Sequence, residues 1–432
     1  MDSYEFKCSD VGSFDAVEET IRKVKGAFSP DSRIPEVFRR CIQDTLQKTI
    51  RILDDGSVFV LTGDIPAMWL RDSACQLHLF VRFAGREPRL RALIEGLIRK
   101  QVECVLLDPY ANAFNESANG NCWEKDITDM KDELWERKYE MDSLSYPVQL
   151  SYLLWKSSGQ TNHFTDSWKE AAWLIIRTFR TEQYHETKSD YRFERPHAIF
   201  QDTLSRGGKG ALVKEDVGMV FSAFRPSDDA CVYGYNIPEN MLACVALEYI
   251  AEIAREVYRD EELAAEAQSF AQEIRAAVET IGVLPGQSER VWAYETDGYG
   301  QYLVMDDANV PSLLAAPYMG YCRADDECYL NTRKMILSEA NPYYYKGRCL
   351  SGIGSPHTPV GYVWDIALAV EGLTAADKDE KLRLLNLMAD NDAGTFQMHE
   401  GIDCDDSAKY TRPWFSWANS MFCELVLDVC GL

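Results

Sequence analysis

Amphipathic helical patterns recur along almost the whole chain and constrain its fold more than any other feature. Between residues 88 and 107, apolar side chains follow the i, i+3, i+4, i+7 spacing that gathers them on one helix face. Similar patterns lie near residues 35–53, 70–84, 141–157, 163–182, 242–257, 263–278, 326–339, 362–373, 379–391 and 412–430. No sequence period repeats, as an α-solenoid would require. About a dozen helices in adjacent antiparallel pairs suggest a helical toroid of six inner and six outer helices, although periodicity alone does not fix that number.

Strand-like sequence is sparse by comparison. Residues 57–62 are rich in β-branched and apolar side chains, and residues 290–296 and 301–304 flank an Asp297-Gly298 turn in the pattern of a hairpin. No linker rich in proline, glycine or serine divides the chain. The sequence therefore predicts an all-α fold with a few short strands in loops, formed by residues 1–432 as one domain.

The charge balance narrows the classes of partner. The chain carries 69 acidic and 45 basic residues, a formal net charge of −24. A field of that sign repels the phosphates of nucleic acids and the surfaces of anionic membranes, and no apolar run approaches the roughly 20 residues that span a bilayer. We therefore expect neither nucleic acid nor membrane as a partner, whereas a neutral ligand such as a sugar meets no such penalty.

The N-terminal sequence and the cysteines bear on location. The first fifteen residues are acidic and lack the basic and apolar regions of a signal peptide. The 13 cysteines are an odd number with no C-x-x-C pair, which predicts reduced, mostly buried thiols. We expect a cytoplasmic protein.

Metal ligation has little support in the sequence. The six histidines form no H-E-x-x-H or similar pattern. Asp403, Asp405 and Asp406 could offer oxygen ligands to calcium, but the remainder of an EF-hand loop is missing. We expect neither metal nor cofactor.

Seven segments are too dense in polar, charged and aromatic residues to be ordinary loops. They span residues 63–73, 112–115, 138–143, 224–230, 355–359, 398–401 and 411–419. Each lies at a helix edge or between helical patterns, positions that a toroid gathers around one mouth. Such a mixture suits a sugar, whose apolar ring faces stack on tryptophan or tyrosine and whose hydroxyls need paired donors and acceptors. Cleaving a glycosidic bond also needs two carboxyl groups, and composition does not indicate which acids supply them.

These segments contain blocks that resemble a known family. The blocks are GDIPAMWLRDS, KYEMDSLSYP, FRPSDDACVYGYNIPENM, DGYGQYLVMDDANVPSLL, IGSPHTPVGYVWDIALA, MHEGIDCDD and TRPWFSWANS. They look like the signature blocks of glycoside hydrolase family 125 and follow the family's order from about residue 60 to the C-terminus. The resemblance implies an (α/α)6 barrel and a metal-independent exo-α-1,6-mannosidase that inverts the anomeric configuration. Its expected substrates are α-1,6-linked manno-oligosaccharides or trimmed N-glycans.

The same resemblance implies the catalytic acids. The family's general acid falls on the Ser-Asp-Asp of the FRPSDDA block, which is Asp228 or its neighbour Asp229, with Asp228 favoured. The general base falls on Glu400 of the MHEG block. An inverting enzyme places its two carboxyls about 6.5–9.5 Å apart so that a water fits between base and sugar. Family members commonly have serine where this chain has Gly401, a difference that leaves the Glu400 carboxylate in place and bears on the stiffness of the loop.

Further residues of these blocks are candidates for substrate binding. Arg71 and Asp72 are predicted in the subsite of the cleaved mannose, with a structural ion pair at a helix start as the alternative. Trp69 and Trp414 are candidates for sugar stacking, with a place in the core as the commoner fate of such residues. The other candidates are Asp64, Asn115, Arg225, His357 and His399.

Three other functions are compatible with a toroid. A sugar epimerase would use paired histidines for proton transfer at carbon, and the histidines near the blocks do not pair in sequence. A non-catalytic mannoside-binding protein predicts loss of the two acidic motifs, both of which are intact. Another toroid glycosidase, acting on glucose or trehalose, is disfavoured only by the family blocks, because pocket shape sets such specificity.

Overall fold

The computed structural model describes residues 8–432, and helices dominate that range. The α-helices of the described residues are α1 Asp15–Ala27, α2 Ile34–Lys48, α3 Leu70–His78, α4 Pro88–Leu107, α5 Met141–Ser158, α6 Asp166–Glu182, α7 His185–Lys188, α8 Ser205–Gly208, α9 Ile237–Ile253, α10 Glu261–Thr280, α11 Glu327–Ile336, α12 Asp365–Leu373, α13 Lys378–Asp390 and α14 Ser416–Cys430. Short 3-10 turns lie at Leu79–Phe83 and Phe200–Asp202, and a π turn continues α9 at Ala254–Tyr258. None of these helices is both long and apolar enough to span a membrane.

The strands of the described residues are short and antiparallel. They are β1 Ile50–Ile52, β2 Val58–Val60, β3 Met68–Trp69, β4 Ala113–Phe114, β5 Leu134–Glu136, β6 Tyr235–Asn236, β7 Glu295–Thr296, β8 Tyr302–Leu303, β9 Tyr344–Lys346, β10 Ser351–Ile353, β11 Tyr362–Trp364 and β12 Gly401–Asp403. They pair as β1-β2, β3-β4-β5, β6-β7-β8, β9-β10 and β11-β12. Strands β3, β6 and β11 each lead directly into a helix, so these small sheets fix where α3, α9 and α12 begin.

Helices alternate between an inner and an outer ring as the chain proceeds. The inner helices pack side by side in the order α12–α14–α3–α5–α9, while α2 packs on α14, α10 on α9, α13 on α12, and α4 on both α5 and α6. Because consecutive helices run antiparallel, the inner helices run parallel and present their N-termini at the same end. The predicted all-α toroid is confirmed.

A turn-rich segment completes the inner ring between α9 and α12. Residues 311–321 form successive turns rather than a regular helix. The Tyr318 hydroxyl donates to the Glu424 carboxylate of α14 at 2.9 Å, and the Tyr329 hydroxyl of α11 donates to the Leu314 carbonyl at 3.0 Å. The segment therefore occupies the position of the sixth inner helix. It is hydrogen bonded to α14 of the inner ring and to α11.

A buried carboxylate supports this segment. Asp306 accepts hydrogen bonds from the backbone amides of Leu313 and Leu314 at 2.8 and 2.9 Å. Only some of the following amides find helical partners, such as Met319 to the Ala315 carbonyl at 2.9 Å. A side chain thus supplies part of the backbone hydrogen bonding that a helix would supply for itself.

Several helix boundaries differ from the prediction by three to five residues. The helix predicted over residues 35–53 ends at Lys48, and Ile50–Ile52 instead pairs with Val58–Val60. That part of the prediction was wrong because β-branched residues and the turn at Gly56, with φ near 77°, favour a hairpin. The helix predicted from residue 362 begins at Asp365, after strand β11.

Other local predictions hold in shorter form. The hairpin predicted around Asp297-Gly298 is confirmed as β7 paired with β8, and the strand predicted near residues 57–62 is β2. Helix α1 was not predicted. Within residues 8–432 all 13 cysteines are free and eight of them are buried.

Apolar side chains from Val11 to Val429 form one continuous core that fills the space between the two rings. A second small cluster of Ala67, Trp69, Ala113 and Trp135 lies on the β3-β4-β5 sheet. This sheet immediately precedes α3 and α5, so the small cluster helps to position the first turns of two inner helices.

Candidate active site

A cavity with two connected chambers opens where the inner helices begin. The outer chamber has a volume of about 560 Å³ and the inner one about 30 Å³. Both are lined by Ile65, Trp69, Asp228, His357, Glu400 and Arg412. The inner chamber is further enclosed by Thr62, Arg71, Asp72, Ser227, Asn309, Trp364 and Phe415. The cavity thus narrows towards a floor built from the starts of the inner helices.

Asp228 projects from a tight loop between two bridged residues, Phe224 and Ala230. The Arg225 amide donates to the Asp229 carbonyl at 2.7 Å, and the Asp228 amide donates back to the Arg225 carbonyl at 2.9 Å. Asp228 has φ near 69°, a left-handed conformation that aspartate tolerates better than most residues. The loop therefore holds this one carboxylate at the boundary between the two chambers.

Arg71 lies at the centre of the buried charges. Its guanidinium contacts Glu140 at 2.7 Å and Asp142 at 3.2 Å, and it lies 3.4 Å from Asp72 and 3.6 Å from Asp228. These carboxylates come from the first turns of α3 and α5 and from the Asp228 loop, where helix N-termini favour negative charge. The cation therefore binds together three segments that are distant in sequence.

Asp228 and Glu140 form a carboxyl pair that titrates as a unit. Burial raises the pKa of Glu140 well above its ordinary value, against the opposing charge of Arg71 and with the help of the negative charge of Asp228. Burial would also raise the pKa of Asp228, but Arg71 and Lys138 outweigh it and hold that pKa below its ordinary value. The two carboxyls influence each other's titration, and the directions of their pKa shifts favour a proton on Glu140 over one on Asp228.

Two further acids of this cluster have raised pKa values. Burial raises the pKa of Asp72 to about 6, although Arg71 and Arg412 oppose it. Burial likewise raises the pKa of Asp142 to about 6, again against Arg71. These shifts have the direction expected where buried acids outnumber the cations that can neutralise them.

Asp229 is turned towards a histidine. Its Oδ1 accepts a hydrogen bond from His357 Nδ1 at 3.0 Å. Burial alone would lower the pKa of His357, but the hydrogen bond and the charge of Asp229 raise it to about 9. Neighbouring aspartates thus have different environments, with Asp228 beside Arg71 and Glu140 and Asp229 beside a cationic imidazole.

Glu400 lies immediately before β12 and lines both chambers, as Asp228 does. Its Oε1 is 3.8 Å from Arg412, whose guanidinium also donates to Asp64 at 2.6 and 2.9 Å. A Cβ at Gly401 would lie 3.3 Å from both Thr411 Oγ1 and the Trp364 ring. The glycine therefore lets the strand that carries Glu400 approach this wall closely.

Three buried polar atoms of residues that line the cavity have no hydrogen-bond partner among the described residues. They are Trp69 Nε1, Asp228 Oδ1 and Asp229 Oδ2. A buried polar atom without a partner is costly, and one donor with two acceptors matches the hydroxyls of a sugar. A polyhydroxylated ligand would satisfy all three atoms.

The structure brings most of the predicted site residues together. Those that line one or both chambers are Asp64, Trp69, Arg71, Asp72, Asp228, Asp229, His357 and Glu400. Their chemical roles stay predictions at this point, but their convergence from separate sequence blocks is a property of the fold.

Four predicted substrate-binding residues line neither chamber: Asn115, Arg225, His399 and Trp414. Arg225 donates from Nε to Glu295 Oε1 at 2.5 Å and so anchors the base of the Asp228 loop. Asn115 donates to the carbonyl of Asn121 at 2.8 Å, within the loop that follows β4. Both side chains fix the backbone near the site.

The other two support the wall that carries Arg412. His399 Nδ1 donates to the Arg412 carbonyl at 3.0 Å, and the imidazole stacks on Tyr410 with ring centres 3.9 Å apart. Trp414 Nε1 donates to Asp44 Oδ2 of α2 at 2.6 Å, away from the cavity. The positions of His399 and Trp414 therefore do not support their predicted contact with a sugar.

Sequence reasoning missed several charged residues of the site. Lys138 and Glu140 both lie in the KYEMDS segment, and Arg412 lies in TRPW. All three lie in segments singled out for their polar density, so the sequence indicated the segments but not these individual residues. Their individual roles depend on partners more than 60 residues away, such as the Asp228 contacted by Lys138.

The described part of the chain contains no group of three or more histidine, cysteine, aspartate or glutamate side chains arranged to hold a metal ion. Asp403, the first residue of the conceivable calcium run, uses Oδ1 to accept from the amides of Asp405 and Asp406 at 2.9 and 3.2 Å. That run is a hydrogen-bonded turn.

Solved structures resemble this fold closely. A Streptococcus pneumoniae protein, described as a metal-independent α-mannosidase in a non-productive complex with α-1,6-mannobiose, matches with a TM-score of 0.95 and 47% identity over 98% of this chain and 100% of its own. A bacterial glucoamylase bound to acarbose matches with a TM-score of 0.61 and 13% identity over 95% of this chain and 57% of its own. The glucoamylase of Saccharomycopsis fibuligera gives 0.59 and 11%, over 100% and 98%. At such low identity the two glucoamylases support the fold alone.

Sequence comparison identifies the family. The meiotically up-regulated gene 157 protein of Schizosaccharomyces pombe is 39% identical over 96% of this chain and 85% of its own length. The family model of the metal-independent α-mannosidases matches residues 31–427. The chain therefore belongs to glycoside hydrolase family 125, the metal-independent α-mannosidases.

Proposed function

We propose that the protein is an exo-acting α-1,6-mannosidase that hydrolyses the terminal mannosidic bond with inversion of configuration. The observation that carries the proposal is that Asp228 and Glu400, two carboxylates from segments distant in sequence, line the same narrow inner chamber. The similar Streptococcus pneumoniae protein binds α-1,6-mannobiose, which supports the choice of linkage.

The shape of the cavity supports exo action. The outer chamber is open to solvent, whereas the inner chamber ends against buried side chains, including Arg71 and Trp364. A chain of sugars can therefore enter only by its end. The terminal mannose therefore lies in the part of the outer chamber next to this floor, and the rest of the substrate extends towards the mouth.

Asp228 is the proposed general acid. It lies at the boundary of the two chambers, and its side chain is 27% exposed, so it can reach the oxygen that leaves. The neighbouring Glu140, whose pKa is raised by burial, is the group that can supply Asp228 with the proton that a general acid donates. Asp229 is held by His357 and is less suited to this step.

Glu400 is the proposed general base. The inner chamber of about 30 Å³ exceeds the roughly 10–15 Å³ that one water needs, and Glu400 lines it. In the reaction Glu400 takes a proton from this water, whose oxygen bonds to the anomeric carbon. The bond from that carbon to the leaving oxygen breaks, and Asp228 protonates the leaving oxygen. Attack from the face opposite the leaving group inverts the configuration.

The neighbouring polar groups are suited to bind the terminal mannose. Arg71, Asp72 and Asn309 offer donors and acceptors at the floor, and the Trp69 ring offers an apolar face. Arg412 bridges Asp64 and Glu400 at the rim. Groups held by ion pairs do not reorganise when the sugar enters, which favours a fixed orientation.

Proton NMR of α-1,6-mannobiose with the purified protein tests the activity and the inversion together. We expect β-mannose as the first product, before mutarotation. Initial α-mannose would refute inversion, and the absence of hydrolysis would refute the activity. With α-1,6-mannotriose labelled at its reducing end, exo action predicts unlabelled mannose and labelled mannobiose, whereas labelled mannose as the first product would refute it.

Two broader aspects of the function extend this proposal. Trimmed N-glycans are a source of terminal α-1,6-linked mannose, and we propose them as natural substrates alongside free manno-oligosaccharides. Thirteen unpaired cysteines within residues 8–432 support a reducing, cytoplasmic setting. Fractionation of cells that express the tagged protein at natural levels tests the location, and recovery in a secreted fraction would refute it.

A further inference from the structure

Large apolar side chains are exposed at the mouth of the cavity. Trp123 and Ile199 both line the outer chamber, and they are 45% and 66% exposed. Neither residue lines the inner chamber. Exposed apolar side chains grouped within a cavity commonly mark a binding surface.

Both residues are attached firmly to the rest of the site. The Trp123 amide donates to the Trp135 carbonyl of β5 at 3.0 Å, so the tryptophan is mounted on the sheet that precedes α5. The segment that carries Ile199 continues to Gln201, whose carbonyl accepts from the Ala230 amide at 2.7 Å. The segments that carry Trp123 and Ile199 are therefore hydrogen bonded to the sheet before α5 and to the loop that carries Asp228, respectively.

A buried ion network strengthens this attachment. Arg195 contacts Asp126 at 2.7 Å, Glu136 at 2.7 Å and Asp202 at 2.8 Å. Lys138 contacts the same Asp202 at 2.6 Å. Asp126 follows Trp123 by three residues and Asp202 follows Ile199 by three, so one ion cluster holds together the two backbone segments that carry these apolar side chains.

The position of Trp123 and Ile199 relative to Asp228 indicates which part of the substrate they would contact. A general acid protonates the leaving oxygen, so the sugar that leaves lies on the side of Asp228 that faces away from the floor. That side is the outer chamber, where Trp123 and Ile199 lie beside the polar groups of Gln201 and Glu136. An apolar face flanked by hydrogen-bonding groups matches a pyranose ring.

We infer that Trp123 and Ile199 form a binding platform for the leaving-group sugars of an oligomannoside, which makes the enzyme prefer substrates that continue beyond the cleaved bond. The inference rests on the proposed function, because it takes Asp228 as the acid that divides the two sides. Trp123 stacks against the leaving sugar, and Ile199 covers its far edge or the next residue of the chain.

Two substrates separate this role from catalysis. α-1,6-Mannotriose places sugars on the platform, whereas α-mannosyl fluoride has no leaving sugar and occupies only the inner part of the site. For Trp123→Ala we expect the ratio of kcat/KM for mannotriose to kcat/KM for the fluoride to fall about tenfold, the change that losing roughly 1.4 kcal/mol of binding gives. Ile199→Ala should lower the ratio less, and Trp123→Phe should restore most of it.

Tyr299→Ala serves as the matched control, since Tyr299 is a 61% exposed aromatic residue at the β7-β8 turn that lines neither chamber. An unchanged ratio in Trp123→Ala, with a normal melting temperature, would overturn the platform. An equal loss on both substrates would also overturn it, because the tryptophan would then act on the whole site. Failure of the unaltered enzyme to cleave either mannoside would instead refute the proposed function.

Discussion

The Lys138 ammonium donates a hydrogen bond to the carbonyl oxygen of Asp228, 2.8 Å away, and another to Asp202 Oδ1 at 2.6 Å. The lysine is buried, and its ammonium lies over the Phe224 ring. It therefore joins the loop of the proposed acid to the wall of the outer chamber. One side chain sets both the position of Asp228 and the charge that surrounds it.

Replacing this lysine is expected to impair catalysis without removing a reacting group. For Lys138→Met we expect kcat to fall by about 10²-fold, the loss that a misplacement of about 1 Å can cause. Kinetics on α-1,6-mannobiose together with thermal unfolding measure the effect. Lys156→Met is the control, because Lys156 pairs with Glu252 on the surface and should leave kcat unchanged. Normal kcat in Lys138→Met would contradict the positioning role.

The two adjacent aspartates are expected to respond differently to the leaving group. Asp228→Asn should lose more than about 10²-fold on α-1,6-mannobiose, within the range for a missing general acid. The loss on α-mannosyl fluoride should be much smaller because fluoride needs no proton to leave. Asp229→Asn disturbs His357 and should affect both substrates similarly. The opposite pattern would assign the acid to Asp229.

The Glu140 carboxyl is expected to set the alkaline limit of activity. General acid catalysis needs a proton on Asp228 or on the neighbouring Glu140, whose pKa is raised by burial, and a glutamine side chain in place of Glu140 cannot carry that proton. For Glu140→Gln we expect the alkaline limb of the kcat/KM profile to move towards lower pH, since Asp228 then titrates alone under the influence of Arg71 and Lys138. A limb that stays in place would show that another group controls it.

Asp72 is expected to reduce stability at neutral pH. Burial raises its pKa from 3.8 to about 6, so the folded protein binds more protons than the unfolded chain at pH 4–6. The free energy of unfolding contributed by this group therefore falls as pH rises through that range, and the full penalty is present above pH 6. At about 1.4 kcal/mol per pKa unit, the penalty is of the order of 3 kcal/mol.

Asp72→Asn should therefore increase the free energy of unfolding at pH 7.5 by about 1–3 kcal/mol and change it little at pH 4. Urea titrations at the two pH values measure this, and activity should fall because Asp72 lines the inner chamber of the proposed active site. Asp325→Asn, at an exposed ion pair with Arg323, is the control and should change neither the free energy of unfolding nor the activity. Destabilisation of Asp72→Asn at pH 7.5 would refute the buried-charge explanation.

The all-α toroid could be predicted because helical periodicity is a local pattern, whereas the site residues were predicted from sequence blocks that resemble those of a known family. Helical periodicity survives in any context, and GDIPAMWLRDS places Trp69, Arg71 and Asp72 in one short run. His399 and Trp414 were harder because an aromatic residue beside a site can either contact substrate or support a wall. Only the contacts of His399 with the Arg412 carbonyl and Tyr410 decide between these.

Buried charge was the least predictable part of the site. In an acidic chain most carboxylates are surface groups, so Glu140 offered no sign in sequence that it would be buried beside Arg71. Lys138 has the same difficulty, since its partners Asp202 and Asp228 lie 64 and 90 residues away. Such roles follow from tertiary contacts that periodicity and composition do not encode.

The turn-built segment 311–321 makes the inner ring unequal in resistance to local opening. Its amides depend partly on the single carboxylate of Asp306, whereas the amides of α9 and α12 are protected by cooperative helical hydrogen bonding. In hydrogen exchange, the segment should exchange before both neighbouring helices. Local unfolding of this segment would open the inner ring between α9 and α12. The other inner helices, from α12 through α14, α3 and α5 to α9, would stay packed together, and Arg71 and its carboxylates would keep their positions.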